Sequence, residues 1–335
     1  MHIFFLNLPR IVNMKHSSAS STALLSTKTA IKVTALAAGL LLGITAQADT
    51  GKLLLTGGVS SIDGAAGGGL TPWAVIGSNA EDGEVGFSAN LTAAKTQDYG
   101  LKTYGVAVGV KNRVEFSLAR QDFDASPAIA LNGIAPFGVT PGQHINMDII
   151  GAKVRIAGDA VLDSDSLMPQ IAVGVQYKSV KPGSIGSVLD FLGTKTSGTD
   201  VYVTATKLFL AQSVLVNATL RSTNANQNGL LGFGSGAPGK NSRSIVPEIS
   251  VAYLLSKNIA IGAEYRGKPN NLEALGRAAG LAGGLKEEAW KDVFVAWAPS
   301  KNVSMTLAYV DLGRIIPGIT PKKQTGVYLS GQIAF

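Results

Sequence analysis

From Glu84 onward the chain alternates apolar and polar residues with a period of two. Val85, Phe87, Ala89 and Leu91 interleave with Gly86, Ser88, Asn90 and Thr92, which puts the two sets on opposite faces of an extended strand. Tyr104, Val106, Val108 and Val110 keep the rhythm. It crosses the tight turn Lys111-Asn112-Arg113 and resumes at Val114, Phe116 and Leu118, a hairpin signature. Further pairs follow at 150–156 with 171–177, 201–208 with 214–220, 249–253 with 259–265, and 293–297 with 303–309. The stretch 326–335 ends the series with Val327, Leu329, Ile333 and Phe335 on one face. Counted from Glu84 these segments predict about twelve strands, and two more at 52–59 and 71–78 would make about fourteen, both even numbers.

The connections sort into two kinds. Turns of a few residues fall around Asn112, Gln212, Lys257 and Ser300, with a longer one at 158–169. The alternate connections are long: 122–143, 179–199, 223–244, 267–289 and 312–324. Short turns at one end and long loops at the other are the arrangement of outer-membrane barrels, periplasmic and extracellular respectively. A soluble sandwich has no reason to segregate its loops. The expected fold is therefore all-β, an antiparallel transmembrane β-barrel. On this count Tyr104, Tyr177, Tyr265 and Tyr309 mark one membrane interface and Phe87, Tyr253, Trp297 and Phe335 the other. The last stretch also resembles the closing strands of bacterial outer-membrane barrels, which end on an aromatic residue read by the assembly machinery. Phe335, Ile333 and Leu329 match that pattern, and the tyrosine often found third from the end is missing.

Composition changes the picture in three places. Charged residues are only 15% and mean hydropathy is +0.23, apolar for a soluble protein, as expected where lipid-facing and lumen-facing residues average out. Cysteine is absent, which removes disulfides and thiol chemistry. The formal net charge of +7 includes Arg10, Lys15, Lys28 and Lys32, so the chain without residues 1–48 carries +3, too little to suggest nucleic acid. Those first residues read as a secretory signal. Lys28 and Lys32 precede the apolar run 33–44, and Ala46-Gln47-Ala48 is a small-residue cleavage site. The expected domains are thus a signal peptide at 1–48, a Gly-rich segment at 49–83 and the barrel at 84–335. Met14 offers a second start codon.

The Gly-rich segment has too few side chains for a core of its own and must pack on something else. It reads as a linker or, preferably, as a plug folded into the lumen, with Gly67, Gly68, Gly69, Pro72 and Trp73 as its central residues. The runs 57–62 (GGVSSI), 67–73 (GGGLTPW) and 266–271 (RGKPNN) resemble an uncharacterised family of proteobacterial outer-membrane proteins. The resemblance implies a barrel and an export route, and no activity.

Charges on the non-lipid faces must point inward to water or to one another. They are Glu115, Lys153, Arg155, Lys178, Arg221, Glu248, Glu264, Arg266 and Asp292. Mixed signs suggest a salt-bridged interior, and the sharper reading is a basic constriction at Lys153, Arg155 and Arg221 passing small anions. Catalysis finds little support. His144 is the one histidine after the leader, with Asp148 on the same strand face and no serine motif beside it. The run 234–241 (GSGAPGKN) imitates a phosphate loop, but Asn241 stands where Ser or Thr is required. No metal cluster, cofactor motif or nucleic-acid surface is visible. The sequence points first to a channel or passive transporter for a small solute, its lumen partly occluded by 49–83. The alternative is a structural barrel that binds a partner through its long loops. The expected partners are the outer-membrane lipids and, through Phe335, the assembly machinery.

Overall fold

The computed structural model describes Leu55 and residues 59–133, 137–159, 167–281, 284–317 and 319–335. The expected leader at 1–48 and most of the possible strand at 52–59, Gly57 and Gly58 included, lie outside the described residues. Twelve antiparallel strands form one closed barrel in simple meander order. β1 (Val85–Thr96), β2 (Gly100–Val110), β3 (Val114–Asp124), β4 (His144–Ala157), β5 (Gln170–Lys181) and β6 (Ser197–Phe209) make its first half. β7 (Val214–Thr223), β8 (Ser244–Ser256), β9 (Ile259–Arg266), β10 (Trp290–Ser300), β11 (Val303–Asp311) and β12 (Thr325–Ala334) make the second.

The alternation of the sequence becomes an alternation of burial. Val85, Phe87, Leu91, Tyr104, Val106, Phe116 and Leu118 lie exposed on the outer wall, while Ser88, Asn90, Thr92, Thr103, Ala107 and Ser117 are buried inside. A wall apolar outside and polar within suits hydrocarbon, because closure leaves no sheet edge unpaired. All eight expected girdle aromatics, Tyr104, Tyr177, Tyr265, Tyr309, Phe87, Tyr253, Trp297 and Phe335, are exposed on this outer surface.

β1 and β12 close the ring in a register running from Ser88↔Ala334 to Thr96↔Gly326. The last residue completes the seam: the Phe335 amide donates to the Phe87 carbonyl at 2.8 Å and the Phe87 amide donates back at 3.0 Å. The β2–β3 turn places Lys111 and Asn112 at φ 51° and 47°, the doubly left-handed turn that matches strand twist. The loops segregate as the sequence suggests, with one addition: a tight connection at 97–99 joins β1 to β2 at the long-loop end. The fourteen-strand alternative is corrected. The stretch 71–78 contributes one isolated bridge, Gly67 to Pro72, because its backbone groups turn to side chains of the wall rather than to a neighbouring strand.

Candidate functional site

Residues 59–80 fold into the barrel as a bent hairpin, held by packing of Ile62, Leu70, Trp73 and Val75 in the apolar core and by a dense set of polar contacts to the wall. Near the short-turn end, Glu115 on β3 accepts from the amides of Gly77 (2.7 Å) and Ala66 (3.1 Å). Lys153 on β4 donates to the carbonyls of Ala66 (3.0 Å) and Trp73 (3.1 Å) and lies 3.1 Å from the Glu115 carboxylate. Midway, the Pro72 carbonyl accepts from Thr219 (3.0 Å) and Asn217 (3.2 Å). Glu264 on β9 takes the Leu70 amide (2.7 Å) and the Thr71 hydroxyl (2.8 Å), and the Trp73 indole donates to Ser250 (3.0 Å). Gly68 passes so close that a Cβ there would lie 2.1 Å from Glu264 Oε1. A small apolar void lies beside the hairpin, about 20 Å³ between Leu55, Trp73, Leu215, Leu254 and Phe294, the room of roughly one water.

The tip of the hairpin is Asp63, fully buried. Arg266 Nη2 reaches its carboxylate at 2.6 Å and Lys178 Nζ at 3.5 Å. Lys178 also pairs with Asp200 (3.0 Å), and Arg221 pairs with Glu248 (2.5 Å) and Asp200 (3.6 Å). Arg266 closes the circle at 3.5 Å from Glu248. Three cations and three carboxylates therefore balance around the tip.

From the long-loop end the β7–β8 connection folds inward to meet this cluster. Gln227, Asn228 and Gly229 take left-handed backbone angles in succession (φ 46°, 58° and 111°), a tight reversal tolerated by Asn and Gly. It aims the Asn228 carbonyl at Lys178 Nζ, 3.1 Å away. Leu230 and Phe233 are buried behind it. Gln227 ties three loops together. Its amide donates to Glu287 (2.7 Å), its side chain donates to the Ile315 carbonyl (3.0 Å), and its side-chain oxygen accepts from Lys268 (2.6 Å). Lys268 also sits 4.8 Å above the Trp290 ring.

Burial lowers the Lys268 pKa to about 7 and raises that of Glu287 to about 7, each group disfavoured in its charged form outside the barrel wall. The Glu287 contribution to cap stability is full below its ordinary 4.5 and fades as pH rises through 7. The Lys268 contribution is full above its ordinary 10.5 and fades as pH falls through 7. The cap is therefore expected to be loosest near neutrality. Hydrogen exchange of 226–233, corrected for the intrinsic rate, should show protection least at about pH 7, and Lys268→Met with Glu287→Gln should flatten the profile.

Of the charges expected inward, Glu115, Lys153, Lys178, Arg221, Glu248, Glu264, Arg266 and Asp292 are buried, and the structure brings Lys178, Arg221, Glu248 and Arg266 together around Asp63. Glu115 pairs with Lys153, while Glu264 holds the hairpin with Asp292 opposite it on β10. Arg155 stands apart at the short-turn rim, bridging to Asp82 and Asp159 at 3.3 Å each. A constriction of Lys153, Arg155 and Arg221 is accordingly not assembled, since the first two serve separate pairs and the third belongs to the upper cluster. His144 and Asp148 do share the outer face of β4, but His144 Nδ1 contacts Asp122 (2.6 Å) and Asp148 pairs with Arg120 and Lys181. No serine or threonine hydroxyl contacts that imidazole among the described hydrogen bonds. Sequence reasoning missed Asp63, Asp200 and Gln227. Asp63 had a signal, the lone acid between Thr50 and Ala80, set in glycine opposite a surplus of inward bases.

The family model described as "Protein of unknown function (DUF3034)" matches residues 56–332. The chain belongs to this family. No curated protein matches the sequence. Among solved structures it is similar to the KdgM porin (10% identity over 74% of this chain and 99% of that one, TM-score 0.43). It is also similar to the NanC porin (8%, 74% and 100%, TM-score 0.46) and to outer membrane phospholipase A from Escherichia coli (8%, 75% and 92%, TM-score 0.39).

Two of the stretches that resemble the DUF3034 family, 67–73 and 266–271, lie far apart in sequence and meet in the lumen. Arg266 Nη1 donates to the Leu70 carbonyl at 2.9 Å. Asn270 accepts the Glu287 amide at 2.8 Å, and Asn271 donates to the Asn224 carbonyl at 2.8 Å, so the second stretch also anchors the cap.

Proposed function

We propose that this DUF3034 protein is an outer-membrane channel or passive transporter for a small solute, closed by residues 49–83 as a plug and by the β7–β8 loop as a cap. One observation carries the reading: the lumen is filled by a separate segment, residues 59–80, rather than by the wall's own side chains, and it is anchored to the wall by hydrogen bonds and ion pairs beside its apolar packing. A barrel needing only stability can fill itself with its own wall side chains, whereas a separate segment whose wall contacts are largely polar leaves polar groups lining a passage when it withdraws. Residues 1–48 act as the export leader, cleaved near Ala48. The short-turn end faces the periplasm, and Phe335 presents the chain to the assembly machinery. Planar-bilayer recording of the refolded protein beside a variant lacking 49–83 tests this. The intact barrel should be nearly silent and the truncated one should conduct.

A second reading draws on the loops. Phe191 is 71% exposed, and its ring meets that of Phe137 edge-on at 5.6 Å between centroids, an apolar spot outside the lumen. If neither form conducts, a surface-interaction role through these loops replaces transport.

A further inference from the structure

The cluster around Asp63 has an imbalance built into it. The wall alone supplies Lys178, Arg221 and Arg266 against Asp200 and Glu248, all at most 2% exposed at the side chain, so it carries one net positive charge. Asp63 neutralises that charge, and it arrives on the inserted hairpin rather than on the wall. When the hairpin withdraws, the wall keeps a guanidinium and an ammonium facing the space of one carboxylate. An uncompensated buried charge of this kind is costly and draws an anion. Arginine's planar fork favours a carboxylate in particular.

We infer that Asp63 is an internal stand-in for the carboxylate of a small monoanionic solute, which competes for Arg266 and Lys178 and so releases the plug. The inference rests on the channel reading and narrows its solute to carboxylates. Lys178 couples the two closures. Its ammonium touches Asp63 of the plug, Asn228 of the cap and Asp200 of the wall, so a solute that takes it loosens plug and cap together. Among the described residues no other inward cation contacts plug, cap and wall together; Arg266 reaches the plug and the wall alone. Lys153 is tied to plug carbonyls beside its own wall carboxylate, and Arg221 is committed to Glu248, Asp200 and Gln176.

The test uses the full chain in planar bilayers at fixed pH and ionic strength, with chloride replaced stepwise by acetate and with acetamide as the uncharged match. Acetate should raise the opening probability of the wild type about tenfold or more, the scale of a lost charge-assisted hydrogen bond, and acetamide should not. Asp63→Asn should open in chloride alone and respond little further to acetate. Asp63→Asn that conducts beside a wild type indifferent to acetate overturns the stand-in and leaves the channel reading intact. Should Asp63→Asn and the hairpin variant Gly67→Ala both stay silent while correctly folded, the channel reading falls, and this inference with it.

Discussion

Replacing Gly67 by alanine is expected to open the barrel without unfolding it. Gly67 sits where the hairpin doubles back: its amide donates to the Val59 carbonyl, and it bridges to Pro72. A Cβ built there would lie 2.2 Å from the Thr71 carbonyl oxygen and 2.8 Å from Pro72 Cα and the Trp73 amide, all backbone atoms that no rotamer change moves aside. The fold of residues 66–73 cannot survive that contact. With it go the Glu264, Ser250 and Lys153 contacts that hold the plug. The twelve-stranded ring has no atom in this clash, so heat-modifiable migration on a gel should stay native while bilayer conductance rises from near silence to steady openings. Gly133→Ala, in a loop with nothing within 4 Å, serves as the matched control. A Gly67→Ala protein that remains silent, with its N-terminal segment still protected from protease, refutes the expectation.

The second large effect concerns the wall itself. Arg221 is 2% exposed, lies 5.0 Å above the Tyr202 ring and binds Glu248, Asp200 and Gln176. Arg221→Met keeps most of the volume and strands carboxylates in a space built around a cation. Removing one partner of a buried pair costs about 3–5 kcal/mol, whereas replacing both partners by apolar residues is often close to neutral. Urea unfolding of the folded barrel should therefore show a loss of about that size for Arg221→Met, with much of it recovered when Glu248→Met is added. A loss under about 1 kcal/mol would mean that water reaches the pair and the cluster is not sealed.

How much of this was legible follows from what each residue must satisfy. Lipid forces a strict alternation on the wall, so Val106, Phe116, Leu307 and their neighbours announce their strands and their outer face by position alone. Loop length announces the two ends. Contents of the lumen obey no period. Glu115 and Lys153 read as inward, but nothing in their spacing says that they grip Ala66 and Gly77, because the depth of an inserted hairpin is set by contacts remote in sequence. The inward cap was half visible: Leu230, Leu231 and Phe233 are too apolar for an open loop. The imitation phosphate loop that follows them turned out to be the outer limb of the same excursion. There Asn241 crowds Gly234, with 2.1 Å between its side-chain oxygen and the position of a Cβ. His144 contacts Asp122 rather than Asp148, since the β3–β4 register sets it opposite Asp124 and makes Asp122 its diagonal neighbour on the same face.

The hairpin leaves the barrel where it came in. Leu55 and Val59 lie beside Leu215 and Leu254 near the short-turn end, and Asn79 is fastened to the Lys301 and Ala334 carbonyls at the same rim. Both limbs thus pass through one opening, and β1 begins just beyond it. Between Val59 and Asn79 the chain therefore enters as a loop rather than as an end. It lies there as a bight of rope pushed into a pipe, so that withdrawal toward the short-turn end would break its contacts with the wall and draw no residue of 59–80 through the loop-covered end.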